Sequence, residues 1–196
     1  MAIVPYPSPH RHEGVDLQPV AASQSNTSEL TNARQSVDLG YSWWQGTVYT
    51  QPMTLDHARA FRVFFGRVRG STHSFRVPVT SEDQHSGTFT VRAQGAGSGY
   101  SLVTDGWPAN STPLLAGQYV TVGDQLMVLD QNVVANGSGV ATLQFHSPLR
   151  RVVADNTVIE TKRPWLLAYL PDGAPALSLT ASQLQAGFSF SIMEAY

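Results

Sequence analysis

Apolar positions recur most regularly between Tyr41 and Val79. From Ser42 to Thr50 they alternate, with Trp43, Gln45, Thr47 and Tyr49 on one side and Trp44, Gly46, Val48 and Thr50 on the other, which predicts a strand. The two consecutive tryptophans therefore face opposite ways. One packs against the element that follows, and the other needs cover from a second sheet, a loop or a neighbouring subunit. The spacing then changes. Leu55, Ala58, Phe61, Phe65 and Val68 fall three or four residues apart, with Phe64 beside them, and predict an amphipathic helix with one buried face. Thr54 suits its N-cap, Asp56 its first turn and Arg67 and Arg69 its last, while Gly70 provides a left-handed stop. Arg59, Arg62 and Arg69 share the opposite face, as solvated charge or as a docking surface. His73 to Val79 reads as a return strand, with Pro78 placing it at a sheet edge or on its way out of the sheet.

The rest of the chain divides around this unit. Residues 1–36 are rich in Pro, Ser, Gln and Asn and lack a helical or strand period, so they read as an arm, either disordered or laid extended over another surface, with Ile3, Val4 and Tyr6 able to anchor its tip. From residue 87 to 159 short β-rich runs are separated by glycine-bearing turns at Gly106, Gly117, Gly123, Gly137 and Gly139, the pattern of a small barrel or sandwich with non-local pairing, which we read as a compact barrel. Pro164 to Leu170, Ala176 to Thr180 and Phe188 to Met193 resume as strands. In the last of these Phe188, Phe190 and Ile192 share a face. The expected fold is mainly β: a β-sandwich with one amphipathic helix, built from residues 37–86 and 160–196, plus a small β-barrel inserted at 87–159.

Composition narrows the function. Twelve Lys and Arg against fourteen Asp and Glu leave a net charge of −2, so no nucleic-acid recognition is expected. Charged residues are 13% of the chain, about half the usual share, which suits faces covered by neighbours and equally a neutral secreted β-protein. The absence of cysteine excludes disulfides and thiolate metal sites. No apolar run has the roughly 18 residues a membrane span needs, so no membrane insertion is expected. The opening MAIVPYPSPHRH is too short and too proline-broken for a secretory signal, which leads us to expect a protein made without export; without such a signal the three glycosylation sequons at Asn26, Asn110 and Asn136 carry no information.

Candidate chemistry is sparse. His10, His12 and Glu13 lack a second cluster to complete a metal site and read as a solvated loop. GAGSG at Gly95–Gly99 resembles half of a dinucleotide loop, but YSLVTDGW after it reads as strand and turn, and without a helix N-terminus there is no phosphate cradle. Asp105, Asp124, Asp130 and Asp155 sit at turns, and no GxSxG elbow is present. Arg150 and Arg151 project from a barrel rim, as loop charge or as a subunit contact. We therefore expect no enzyme, cofactor or metal.

The order of motifs is itself informative. A strand beginning at SWWQG, the helix QPMTLDHARAFRVFFGRVRG, the strand HSFRVP, then LLAGQYVTVGDQLMVLDQNVVANGSGVATLQFHSPLR and VIETKRPWLLAYL together resemble tail-tip structural proteins of tailed bacteriophages, in the distal tail and baseplate hub class. The likeness covers about residues 41–170. It implies a ring-forming, tail-tube-like sandwich with the barrel as a peripheral decoration, a homo-oligomeric ring (a hexamer is expected) joining tail tube to tip, partners among tube, hub and fibre proteins, and residence in the virion tail after synthesis in the host cytoplasm. On this reading Trp43, Trp44 and the arginines at 59, 62, 69, 150 and 151 are interface candidates. The alternative is a carbohydrate-binding module, within such a tip or outside it, in which Trp43, Trp44 or Trp107 stacks on sugar rings.

Overall fold

The computed structural model describes residues 2–8, 12–176, 184–185 and 187–195. In chain order the strands are β1 (Ile3–Val4), β2 (His12–Thr27), β3 (Arg34–Thr50) and β4 (Met53–Thr54), then helix α1 (Leu55–Val68), then β5 (Ser74–Pro78), β6 (Val91–Ala93), β7 (Gly97–Asp105), β8 (Tyr119–Val122), β9 (Gln125–Val128), β10 (Ala141–Val153), β11 (Val158–Glu160), β12 (Trp165–Tyr169), β13 (Leu184–Gln185) and β14 (Ser189–Glu194). The fold is mainly β, with one helix, a larger sheet and a nearly closed six-stranded barrel.

The larger sheet runs β1-β5-β12-β14-β3-β2. Its middle is assembled from both halves of the chain: β14 pairs antiparallel with β3 (Phe190 opposite Val48, Ile192 opposite Gly46), and β12 with β5 (Leu166 opposite Val77). The helix lies on one face. Ala58, Phe61, Phe64, Phe65 and Val68 are buried against Val48, Phe75, Val77, Leu166, Ala168, Phe190 and Ile192. The aromatic rings meet edge to face, with Phe64 and Phe75 centroids 5.0 Å apart and Phe65 and Phe190 5.3 Å apart. Tyr6, just beyond β1, completes the cluster against Phe61, Phe64 and Phe75, so the tip of the expected arm is an anchor.

The helix ends differ in detail from the expectation. Thr54 stands at the N-cap position, but its hydroxyl faces the His57 ring (2.9 Å) and caps no backbone N–H. The left-handed stop starts on Arg69 (φ +52), whose N–H still donates to the Phe65 carbonyl, and continues through Gly70 (φ +64). Arg69 is thus the C-cap and not part of the last turn. Pro78 fits the edge reading: β1 covers only Ser74 and Phe75, leaving the outer side of β5 open from Arg76 onward.

All six strands of the second sheet, ordered β10-β7-β6-β11-β8-β9, fall between β5 and β12 in the chain. A bridge between Leu129, just past β9, and Phe145 in β10 nearly closes the ring. Its interior holds Leu102, Leu114, Val120, Met127, Leu143 and Ile159. GAGSG leads into β7, a strand, as the sequence predicts.

The largest departure lies in residues 12–27. The stretch without a strand period is the sixteen-residue β2, zipped antiparallel along β3 from His12–Thr50 out to Thr27–Arg34. The two strands approach so closely at Gly46 that a Cβ there would overlap the Asp16 carbonyl oxygen, which leaves glycine as the residue that fits. Part of the expected Ala176–Thr180 strand, and His10, lie outside the described residues.

Replacing Phe61, whose ring packs between Tyr6, Phe64, Phe65 and Phe188, by alanine is expected to cost about 3–5 kcal/mol of unfolding free energy. Val63→Ala on the exposed side of the same helix should stay within about 0.5 kcal/mol. Urea unfolding of the two variants checks the assignment of faces.

Candidate functional site

Two features give the molecule surfaces beyond its core: the projecting end of the β2–β3 ribbon and the seam that fixes the barrel beneath it. β14 accompanies β3 only from Gln45 to Tyr49. Past Ala21–Ser42 the register jumps, with Leu39, Gly40 and Tyr41 set against Ala22 alone, and Gly40 takes the positive φ (+73) this bulge demands. Beyond the bulge, Ser23–Asp38 to Thr27–Arg34 pair with each other and, among the described residues, with no third strand. At about 3.4 Å per residue, the nine steps of β2 from Gln18, opposite Gln45, to Thr27, opposite Arg34, carry the ribbon roughly 31 Å beyond the part that β14 accompanies. The tip is closed by hydrogen bonds between Ser28 and both Asn32 and Ala33, and presents Leu30 at 98% exposure, with Val37 and Leu39 exposed along the ribbon.

The seam is polar and specific. Trp44 is buried at the root of the ribbon; its indole N–H donates to the Leu126 carbonyl in β9 (2.9 Å), and its backbone N–H donates to the Glu194 carboxylate (3.0 Å). Glu194, with a side chain only 1% exposed, also pairs with Arg150 from β10. Gln125 holds the same part of β10, donating to the Pro148 carbonyl and accepting from the Arg150 backbone N–H. On the far side Thr121 and Trp165 exchange hydrogen bonds of 2.7 and 2.8 Å, and Arg76 bonds Asp124 while lying 5.0 Å over the Trp165 ring. Near residue 84 the Gln84 side chain clamps the backbone of Tyr119 and Thr161.

Burial pushes the Glu194 carboxyl above its ordinary range, outweighing the opposing pull of Arg150 and the Trp44 N–H. Asp83 moves the other way, because hydrogen bonds from Arg163 and then Lys162 favour its charged form.

The candidate residues scatter accordingly. Arg59, Arg62 and Arg69 are exposed as expected, Arg59 bonded to Asp56 (2.8 Å). Arg151 is exposed beside the seam. Arg150 is not a rim charge for a neighbour: it is engaged by Glu194 of its own chain. Trp43 is half-buried and stacks on Tyr41 with centroids 6.1 Å apart, whereas Trp44 is core. Trp107 cannot stack on a sugar. It is 4% exposed inside the barrel, with its indole N–H bonded to Thr104 and Phe89 against its ring. Among the described residues no three His, Asp or Glu side chains converge as a metal site, and no helix is long and apolar enough to cross a membrane. Glu194 escaped the sequence reading although a signal was there: it continues the inward positions Phe190 and Ile192 of an alternating strand, where a carboxylate needs a partner. No protein-family model matches the chain, and no curated protein matches it in sequence.

Arg150→Ala leaves the Glu194 carboxylate uncompensated and is expected to destabilise the fold by about 3–5 kcal/mol, whereas the double change Arg150→Met with Glu194→Leu should cost much less. Chemical denaturation of the three proteins checks this. Because the folded protein holds the Glu194 proton more tightly than the unfolded chain, this group's contribution is greatest at low pH and falls as pH rises from about 4 through its raised pKa. The melting temperature of the wild type minus that of Glu194→Gln should therefore decrease with rising pH over that window. A difference that is flat or increases contradicts the assignment.

Proposed function

We propose that the protein is a structural virion component of a phage tail tip, a distal tail protein that closes into a homo-oligomeric ring between the tail tube and the tip apparatus. The observation that carries this reading is the ribbon. A two-stranded β-ribbon with both faces in water is marginal by itself, and among the described residues no strand pairs with the outer edge of β2. A neighbour that accepts this edge and covers Leu30, Val37 and Leu39 gives the arrangement its stability. The exposed Arg62 and Arg69, on the helix side of the same sheet, offer a second, charged contact. The motif order described above supplies the tail-tip context: synthesis in the host cytoplasm, residence in the virion tail, and tube, hub and fibre proteins as partners. In this role the protein works through contacts and not through turnover.

Electron microscopy and light scattering of the purified protein test the proposal. Closed rings, with six copies expected, are the predicted outcome, and replacing residues 24–37 with a short turn should give folded monomers whose melting temperature, unlike that of the wild type, does not depend on protein concentration. A strict monomer at assembly concentration with no affinity for other tail proteins overturns it.

A further inference from the structure

With Trp44 and Trp107 buried, and Trp43 and Trp165 half-buried against Tyr41 and Arg76, the exposed aromatic rings near the seam belong to tyrosines. Tyr41, at the ribbon bulge, and Tyr100, on β7, are 47% and 52% exposed and line the same cleft, a cavity of about 500 Å³ between the root of the ribbon and the barrel. Pro19 and Pro148 add flat apolar surface, Tyr119 a third ring, and Ser147 and His146 polar groups. The volume lies within the range of roughly 300–1,000 Å³ of small-molecule sites, and such sites favour junctions between structural units.

The chemistry of the lining selects the ligand. Among the described residues no Asp, Glu, Lys or Arg lines the cleft, which disfavours phosphorylated, sulfated or acidic ligands. Aromatic faces bind the apolar C–H face of a sugar ring, while hydroxyl and imidazole groups both donate to and accept from its hydroxyls. A polyproline segment also fits aromatic grooves, but its prolines can only accept, so the donor-and-acceptor character of Ser147 and His146 favours the sugar. We infer that this cleft binds a neutral oligosaccharide, stacked on Tyr41 and Tyr100. The inference is independent of ring formation, since all the lining residues come from one chain.

Fluorine NMR of the full chain labelled with 3-fluorotyrosine, titrated separately with maltohexaose, cellohexaose, chitohexaose and decaproline, tests it. The expected result is saturable shifts of the Tyr41 and Tyr100 resonances with at least one saccharide. Tyr100→Ala should weaken binding at least tenfold at an unchanged melting temperature, while Tyr49→Ala, on β3 away from the cleft, should leave it intact. Tyr41→Phe keeps the ring and serves as the second variant, with stacking and therefore most of the affinity retained. Absence of saturation with all three saccharides, binding of decaproline alone, or saccharide binding that survives Tyr100→Ala overturns the inference. Size-exclusion chromatography on the same samples reads the assembly state, so failure of sugar binding and failure to form rings are separately visible.

Discussion

The two hydrogen bonds of Trp44 fix the geometry on which everything outside the cores depends. Its indole ties β3 to Leu126 of the barrel, and its backbone N–H joins the Glu194 carboxylate that engages Arg150. A single residue thus links the strand that becomes the ribbon, the last strand of the larger sheet and two strands of the barrel. The direction of the ribbon and the width of the cleft follow from this junction. A buried acid that stays protonated more readily than usual is a weak source of stability, but its partners are directional, and an apolar seam of equal area would permit sliding.

Leu126 makes the same point for packing. It belongs by sequence to the barrel, yet it is buried in the helix-and-sheet core together with Trp44. With Thr121 bonded to Trp165 and Gln84 clamping both crossing points, the inserted strands are joined to their host over a broad face, not hung from two flexible linkers.

How much of this the sequence showed depends on whether one side of an element is buried. The helix and β14 each bury a single face, so their apolar residues fall at the spacing of that face, and Phe61, Phe65, Phe190 and Ile192 were legible. The ribbon hides neither face beyond its root, so Ser23 to Thr27 carry no alternation, although their backbones pair as regularly as any in the sheet. Trp107, flanked by Gly106 and Pro108, has the look of an exposed turn residue; only the return of the chain at Gly139, whose carbonyl accepts the Trp107 N–H, shows that the turn folds inward. The pairing of Arg150 with Glu194 spans 44 residues and has no local signature at all.

The interleaving of the two sheets also orders events in time. Every strand of the barrel lies within residues 91–160, so its pairings are available while the C-terminal end is still being synthesised. The larger sheet cannot close so early, because Tyr49 must wait for Ser189, 140 residues later. Loop closure across such a distance is slow compared with a local hairpin. On the ribosome, therefore, the barrel matures before the larger sheet, and the nascent helix holds its phenylalanines without their lid until Phe190 and Ile192 emerge, an interval in which protection by a chaperone matters.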